Sequence, residues 1–480
     1  MAIIIPANSA ADAAFSVDNS CRFNDDDSAY MHKTPGSGGN RRTFTFSSWV
    51  KRGDVEADEY AIFTGGVDAN AAGFFTIMFD DNNKIDIQCY DGGWDNVTTT
   101  RVFRDPAAWY HIVVAVDTTQ GVAANRIKIY VNGVQETSFS SVEYPAQDLD
   151  LNVNHTAIMT VGVRRNSSAA LAGYLDAYLA ETVLIDGTQY AASDFGEFDE
   201  DSPTIWKPKD VSELTFGTNG FYLDYEASDN LGNDANGGTD LTEVNLAAVD
   251  QATDTPTNNF ATFNPLNVPV SATPTFSQGN CVTVSQVGAG LNFGGTSTLG
   301  MTAGKWYWEC SPTSVGNGSL IGATGRPSED ARLNDFAGHD SDSYSYVHNG
   351  NKMTGNSESS FDNTYTDGDI ISVALDITNL KIYFAKNGTW QNSGDPTSGA
   401  TGTGAAFTIT ASASTLEGVY AFSAGDYGNG GTTFQANFGG CPALTVSSAV
   451  ADENDYGAFE YAPPSGYLAL CTKNLGSDGG

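Results

Sequence analysis

The stretch Asp369–Trp390, DIISVALDITNLKIYFAKNGTW, decides the fold of the second half of the chain. Its large apolar residues alternate with small or polar ones, which is the period of a strand with one buried face; they are Ile371, Val373, Leu375 and Ile377. Thr378-Asn379 predicts a tight connection to a returning strand, 380–384. Asn387-Gly388 predicts a further turn, because both residues tolerate the positive φ that a two-residue hairpin demands.

The same pattern occurs earlier in the chain. His111–Asp117 (HIVVAVD) is followed by a polar loop and then by Ile127–Gly133 (IKIYVNG). Both copies have Ile-Tyr in the second strand and Asn-Gly after it. The repetition predicts two related sheet domains.

Composition agrees with a sheet protein. The 480 residues leave room for two or three domains. Hydrophobic residues make up 40% and aromatic residues 11% of the chain, so sizeable cores can form. The 52 glycines fit short strands joined by tight turns, and no long stretch has helical periodicity. Strand-like segments with turn residues between them recur from 44 to 185, which is typical of a β-sandwich.

The charge balance excludes one class of partner. The formal charge is −36, with 58 acidic and 22 basic residues. Nucleic-acid binding needs basic surface to replace counterions, so it is excluded, and binding to an anionic membrane is disfavoured for the same reason. An acidic surface keeps an abundant particle component soluble and can also hold Ca²⁺.

The cysteine spacing argues against two kinds of site, and the N-terminus predicts where the protein is made. The six cysteines are scattered without a C-x-x-C pair, which argues against a zinc site or a thioredoxin-like motif. The N-terminal MAIIIPANSA has no basic region, and its apolar run is too short for a signal peptide or a membrane segment. We therefore expect synthesis in a host cytoplasm without export or membrane insertion.

The chain is predicted to be all-β, with two antiparallel jelly-roll-like sandwiches joined by a connector rich in Pro, Asn and Gly. The predicted divisions are a lead-in or attachment segment at 1–20, a first sandwich at 21–225, the connector at 226–280, a second sandwich at 281–475 and a frayed tail at 476–480. The connector is expected to be packed because Phe260, Phe263 and Leu266 punctuate it.

Several Asp- and Asn-rich loops are candidates for calcium, which prefers several oxygen ligands from loops. The candidate ligands are Asp68, Asn70, Asp80, Asp81 and Asn83, and the segment Asp229–Glu243 has the same composition. None of these loops matches an EF-hand. Asn and Asp also fill hairpin turns by default, which is the alternative interpretation.

Glycan binding has its own signature, an exposed aromatic ring beside Asp or Asn, because the ring stacks on a sugar while the polar groups fix its hydroxyls. Such residues occur in both predicted sandwiches: Tyr90, Asp91, Trp94, Asp95 and Asn96 in the first, and Trp390, Asp426 and Tyr427 in the second. The alternative for the first loop is that Trp94 tucks under the sheet. Trp306 and Trp308 fall on one face of a strand and are predicted to be core.

Catalytic patterns are weak. Glycosidases of the concanavalin A-like class use paired carboxylates about two strand positions apart. Glu197 and Asp199 come nearest, but no Glu follows three residues after the second acid, and the pair sits in a loop. The five histidines accompany no G-x-S-x-G elbow, and His111 begins a buried strand where it is predicted to be structural. We expect no enzyme.

Two regions resemble known domain families. Residues 40–225 resemble a laminin-G-like domain of the concanavalin A-like class, through FTFSSWVKRG (44–53), FRDPAAWYHIVVAVD (103–117), IKIYVNG (127–133) and LAETVLIDG (179–187). Residues 295–471 resemble a SPRY domain, a variant of the same sandwich, through GKWYWEC (304–310), DGDIISVALDITNLKIYFAKNG (367–388) and PPSGYLALC (463–471).

The arrangement from RFNDDDSAY (22–30) onward is similar to tail-fibre and virion-surface proteins of marine bacteriophages and cyanophages. That resemblance implies a structural protein of the virion surface that binds other virion proteins and a host-surface glycan, often as a trimer. A capsid decoration or head-fibre protein is the first alternative, and a glycan depolymerase is the second. Fibres often carry more sequence after such a domain than this chain does.

Overall fold

The fold was analysed in a computed structural model, which describes residues 15–166, 168–269, 274–285, 293–316, 318–428 and 431–478. Contacts divide the chain at residue 257 into two compact units, one within Ala10–Thr257 and one within Asn258–Gly480. The predicted connector is thus shared between the units. Residues 1–14 of the predicted attachment segment lie outside the described residues.

The first unit is built from strands and tight turns. Its strands are β1 Ser20–Phe23, β2 Tyr30–Lys33, β3 Thr43–Arg52, β4 Tyr60–Gly65, β5 Phe74–Phe79, β6 Ile85–Tyr90, β7 Trp94–Thr99, β8 Trp109–Asp117, β9 Ile127–Val131, β10 Val134–Gln135, β11 Phe139–Val142, β12 Met159–Val161, β13 Arg164–Arg165, β14 Leu171–Ala172, β15 Ala177–Asp186, β16 Gly196–Phe198, β17 Trp206–Pro208, β18 Phe221–Leu223, β19 Thr242–Val244 and β20 Gln251–Ala252.

Two antiparallel sheets of the first unit pack face to face. Sheet A has the order β10-β9-β8-β3-β15-β1-β20, with β18 paired to β15, and sheet B has the order β11-β7-β6-β5-β4-β12-β2-β19. Phenylalanine rings join the sheets: Phe46 stacks on Phe63 at 4.9 Å, and Phe44 meets Phe75 edge-on at 5.2 Å. All four rings are fully buried, and each contributes about 2–3 kcal/mol of transfer free energy.

The second unit repeats this plan. Its elements are β21 Thr275–Ser277, β22 Val282–Val284, β23 Phe293–Thr296, β24 Lys305–Pro312, β25 Ser319–Thr324, α1 Pro327–Leu333, β26 Ser343–Val347, β27 Asn351–Thr354, β28 Ser357–Ser360, β29 Ile371–Asp376, β30 Lys381–Lys386, β31 Thr389–Trp390, β32 Phe407–Thr408, β33 Ala421–Asp426, β34 Thr433–Asn437, β35 Leu468–Ala469 and α2 Thr472–Asp478. Residues 476–478 of the predicted tail are therefore helical, and 479–480 lie outside the described residues.

Its two sheets are antiparallel except for one short parallel pair. Sheet C has the order β21-β22-β34-β24-β29-β30-β31, with β32 on β30 and β35 parallel to β24, and sheet D has the order β23-β33-β25-β26-β27-β28. Trp306 and Trp308 are fully buried, as predicted. The Trp308 ring stacks on Phe422 of sheet D at 5.2 Å. Phe260 and Phe263 are buried too, whereas Leu266 is exposed.

Both predicted hairpins form, and the Asn-Gly turn that follows the second strand of each has the same backbone geometry. β29 pairs with β30 from Ile371↔Lys386 to Asp376↔Lys381, and all four alternating apolar residues face the core. Asn387-Gly388 has φ values of 48° and 75°, and Asn132-Gly133 has 48° and 77°. The all-β fold with two sandwiches is confirmed. None of the helices among the described residues is long and apolar enough to cross a membrane.

Glycine at position 133 is required for two reasons. A side chain there is strained at positive φ, and a Cβ would lie 2.3 Å from the Trp206 ring. Gly237 has a similar φ of 79° with nothing near its Cβ position. We expect Gly237→Ala to lower the free energy of unfolding by about 1 kcal/mol, because of backbone strain alone. Gly133→Ala should lower it by about 3 kcal/mol, because overpacking against Trp206 is added to the strain. Urea unfolding measures both values, and equal losses would contradict the packing argument.

A buried carboxyl on sheet A gives a pH signature. Glu181 sits at a bulge of β15 and accepts a hydrogen bond from the Tyr222 hydroxyl at 2.7 Å. Burial, with smaller effects from Asp224 and Asp210, raises the pKa of Glu181 to about 8. Since this folded-state pKa lies above the unfolded value of about 4, the protonated carboxyl stabilises the fold at low pH. That contribution is lost as the pH rises from about 4 to about 8.

We therefore expect Glu181→Gln to leave stability near pH 4 unchanged and to raise the unfolding temperature at pH 8 by at least about 2 °C. The amide stays neutral and its oxygen still accepts from Tyr222. The matched control is Glu197→Gln, an exposed position, which should change neither value. Differential scanning calorimetry across this pH range measures the effect. A variant whose stability falls with pH as steeply as that of the parent protein would overturn the assignment.

Candidate functional site

The predicted glycan loop of the first unit forms the tip of the β6–β7 hairpin. Tyr90 pairs with Trp94 across the turn, and the loop residues between them are exposed. The Trp94 side chain is 40% exposed, so it does not tuck under the sheet. Its ring meets Tyr90 edge-on at 5.2 Å and Phe74 edge-on at 6.1 Å. These contacts fix an aromatic surface at the rim of sheet B.

Strand alternation sorts the polar residues of this hairpin by face. Asn96 lies opposite Gln88 on the same face as Trp94, while Asp95 lies opposite the buried Cys89 on the core side. Burial and the charges of Asp91 and Glu143 raise the pKa of Asp95 to about 6. Asp95 Oδ2 and Asn96 Oδ1 are buried, and neither has a hydrogen-bond donor within the described residues.

Unpaired buried acceptors are costly, about 1–3 kcal/mol each. Donors for Asp95 Oδ2 and Asn96 Oδ1 must therefore come from water or from a ligand hydroxyl. An exposed indole beside unsatisfied acceptors is the arrangement that holds a sugar ring by stacking and hydrogen bonding. The hairpin, defined here as residues 90–96, can do this chemistry.

The predicted glycan residues of the second unit are engaged within the fold. Asp426 is fully buried and accepts from the Gly428 amide at 2.8 Å and the Thr432 hydroxyl at 2.7 Å. The Tyr427 hydroxyl donates to Glu358, and Trp390 is half-buried against the cluster around Tyr307 and Tyr383. These three residues have partners that account for their positions.

The predicted calcium loops are turns closed by their own side chains. Asp68 Oδ1 accepts from the Asn70 amide at 2.8 Å, and Asp80 Oδ1 accepts from the amides of Asn82 and Lys84. Asp81 Oδ1 accepts from the Asn82 side chain. Asn83 has φ 60° and is buried, and its Oδ1 accepts from Arg52 at 2.6 Å. Asp68 and Asp80 thus have the turn-forming role that was the alternative interpretation, and calcium binding at these loops stays a prediction.

A different oxygen cluster, which the sequence analysis did not predict, lies in sheet A next to the end of β1 and the start of β15. β1 pairs with β15 so that Phe23 faces Ala177, which brings Asn24 and Asp25 beside Asp176. The Asp25 and Asp176 carboxyls lie within hydrogen-bonding reach of each other. Gly53 closes the cluster, because a Cβ there would lie 1.8 Å from Asp176 Oδ1.

The electrostatics of this cluster favour a cation. Burial, with the charges of Asp25 and Asp54, raises the pKa of Asp176 well above its usual value, and burial with Asp26 raises that of Asp25. Asp176 Oδ1 and Asn24 Oδ1 are buried without a hydrogen-bond partner in the described part of the chain. Carboxylate and amide oxygens are the ligand set that Ca²⁺ prefers. Asp25 and Asp176 therefore offer Ca²⁺ two carboxyls that meet, and Asn24, the residue before Asp25, has a further buried oxygen without a partner among the described residues.

The acidic pair at Glu197 and Asp199 lies in the small β16–β17 hairpin. Asp199 Oδ2 pairs with Lys207 Nζ at 2.7 Å, and Asp199 Oδ1 accepts from two amides of its own turn. The Lys207 bond lowers the pKa of Asp199, which is the opposite of what a general acid needs. His111 is buried and structural, as predicted: its Nδ1 accepts from Trp206 and its Nε2 faces Ser47 Oγ, both at 2.9 Å.

A cleft of about 410 Å³ opens beside this hairpin. Tyr130, Phe198 and Trp206 supply its aromatic walls, and Glu197 and Lys209 supply charge. Phe198 is 41% exposed and meets Trp206 edge-on. The cleft is a second place where a sugar ring could stack.

Comparison with known families agrees with these folds. Residues 24–180 match the model of the concanavalin A-like lectin/glucanases superfamily, and residues 305–434 match that of the SPRY domain. A search of curated proteins finds no match to the chain.

Solved structures match parts of the chain at low identity. The SPRY domain of human HERC1 is 21% identical over 38% of this chain and 97% of its own, with a TM-score of 0.28. A heptameric SAP-like pentraxin from Limulus polyphemus is 11% identical over 36% of this chain and 77% of its own, with a TM-score of 0.27. A "putative carbohydrate binding protein" from Bacteroides ovatus is 15% identical over 48% of this chain and 58% of its own, with a TM-score of 0.34. The chain contains a concanavalin A-like lectin/glucanase domain followed by a SPRY domain.

Proposed function

We propose that this protein is a non-enzymatic adhesin that binds a host-surface glycan through its concanavalin A-like domain. The observation that carries the proposal is the hairpin 90–96, where a 40%-exposed Trp94 lies on the same face as Asn96, whose buried Oδ1 has no donor among the described residues. Aromatic stacking orients a sugar ring, and the Asn96 acceptor selects one of its hydroxyls. Both features sit on paired strands of a rigid sheet, which suits recognition more than an isolated loop would.

The proposed setting is the surface of a bacteriophage virion, as a tail-fibre or receptor-binding component that contacts other virion proteins and assembles as a trimer. Its support is the resemblance of the region from 22 onward to marine phage and cyanophage surface proteins. The charge of −36 is compatible with an abundant, soluble particle component. A capsid decoration protein shares these properties and differs in what it binds.

Removal of the Trp94 indole tests the glycan site. We expect Trp94→Ala to weaken binding to host cells and to their isolated surface glycan by at least about tenfold, because one stacked aromatic supplies about 1.4 kcal/mol or more. Phe198→Ala is the matched control, since Phe198 is 41% exposed on the same unit and belongs to the Trp206 cleft. Binding is measured by a glycan array and by titration on cells.

The outcomes separate the alternatives. Loss of binding in Phe198→Ala alone would move the site to the cleft. Equal binding by both variants and the parent protein would overturn the proposal. Binding to tail-less phage heads, with none to cells or glycans, would make decoration the function, and release of reducing ends from host polysaccharide would make the protein a depolymerase.

We further propose that Asn24, Asp25 and Asp176 hold a calcium ion that fixes the end of β1 against the start of β15. A bound Ca²⁺ supplies positive charge where two carboxyls meet, so both can ionise at neutral pH. Without the ion, the raised pKa values mean that stability falls as the pH rises, because the unfolded chain releases these protons more readily. Calcium should therefore stabilise this unit most at neutral and alkaline pH.

Asp176→Asn tests the calcium site by two effects of opposite sign. In chelator at pH 8 the variant should melt higher than the parent protein, because it lacks a buried charge. At a calcium concentration 100 times the dissociation constant, the free energy of unfolding of the parent protein should rise by about 2.7 kcal/mol. That of the variant should change little. Asp68→Asn is the control, since its amide oxygen still closes its turn and calcium stabilisation should persist. A calcium response lost in Asp68→Asn but kept in Asp176→Asn would refute this site.

A further inference from the structure

A second group of potential metal ligands lies in the SPRY domain, in the segment that follows α1. Asp335, His339 and Asp340 each offer one ligand atom, and these atoms all lie within 4.8 Å of one another. His339 Nδ1 lies 3.1 Å from Asp340 Oδ2 and 3.5 Å from Asp335 Oδ2. All three side chains are partly exposed, so an ion could reach them from solvent.

Neighbouring contacts hold two of the three ligands, His339 and Asp340, in place. The His339 ring meets Phe336 edge-on at 5.4 Å. Arg326 Nη1 lies 3.5 Å from Asp340 Oδ1, so the other oxygen of Asp340 is the one that faces His339. Arg326 is itself held by Asp342 through a 2.7 Å bond. Such outer contacts are how proteins orient metal ligands.

Asp330, which is joined to Asp335 by a backbone hydrogen bond, adds an unsatisfied buried oxygen to this region. Its carboxyl is 1% exposed; Oδ2 accepts from the Thr324 hydroxyl at 2.5 Å, while Oδ1 is buried without a partner in the described residues. The Asp335 amide donates to the Asp330 carbonyl, which ties the two residues together. One Arg326 does not neutralise three neighbouring carboxylates.

We propose that Asp335, His339 and Asp340, supported by Asp330, bind a divalent first-row transition-metal ion, with Zn²⁺ as the best-suited ion. An imidazole nitrogen combined with carboxylate oxygens suits Zn²⁺ and Mn²⁺ and distinguishes this site from the all-oxygen cluster of the first unit. The ion would tie the end of α1 to the loop that leads into β26. This inference stands apart from glycan binding and from the calcium site.

Calorimetric titration of the full chain with zinc chloride tests the site. The protein is stripped with chelator and then kept in millimolar calcium, so that the oxygen cluster of the first unit is occupied. We expect one zinc ion per chain for the parent protein, and affinity losses of at least about tenfold for His339→Ala and for Asp340→Asn. Glu329→Gln removes the same charge from α1, where Glu329 pairs with Arg332, and should bind zinc as the parent protein does.

A second measurement keeps the result independent of folding. The His339→Ala and Glu329→Gln variants should melt at the same temperature in chelator, and zinc should raise the melting temperature of Glu329→Gln only. Zinc binding of equal stoichiometry and affinity in His339→Ala and the parent protein would overturn the proposal. Absence of zinc binding by the parent protein would overturn it too, while leaving the glycan and calcium proposals untouched.

Discussion

The packing of aromatic rings between paired sheets is the constraint on which both domains depend. Phe46 against Phe63 in the first unit and Trp308 against Phe422 in the second fix which face of every strand points inward. Because side chains alternate, the outward face is then fixed as well. Trp94 and Asn96 face outward for this reason, and Asp95 between them faces the core. The candidate recognition surface is thus a consequence of the core.

Charge imposes the second constraint on this acidic chain. Exposed carboxylates are solvated and cost little, but Asp176 and Asp330 are buried with oxygens that lack donors. Each lies beside other carboxylates, so each must bind a proton or a cation. The two clusters differ in their ligands, all oxygen in one and mixed with imidazole in the other. That difference is the physical basis for assigning them to different ions.

Local patterns predicted the local features well. Alternation and Asn-Gly turns gave both hairpins, and the exposed aromatic predicted in the loop around Trp94 is found at the tip of the β6–β7 hairpin. The calcium cluster could not be read from sequence, because Asp25 and Asp176 are distant in the chain and meet only through the β1–β15 register. The run Asn24–Asp27 was the one visible signal. Composition pointed to Asp80 and Asn83 instead, where turn geometry uses the same residue types.

Glycan recognition at the Trp94 hairpin is tested most directly by fluorine NMR of protein labelled with 5-fluorotryptophan. The chain has seven tryptophans, so each resonance can be assigned by single substitution. Titration with the host surface glycan should shift the Trp94 resonance progressively to saturation and leave those of the buried Trp306 and Trp308 unchanged. Saturating shifts at Trp206 or Trp390 with none at Trp94 would contradict the assignment of the binding site.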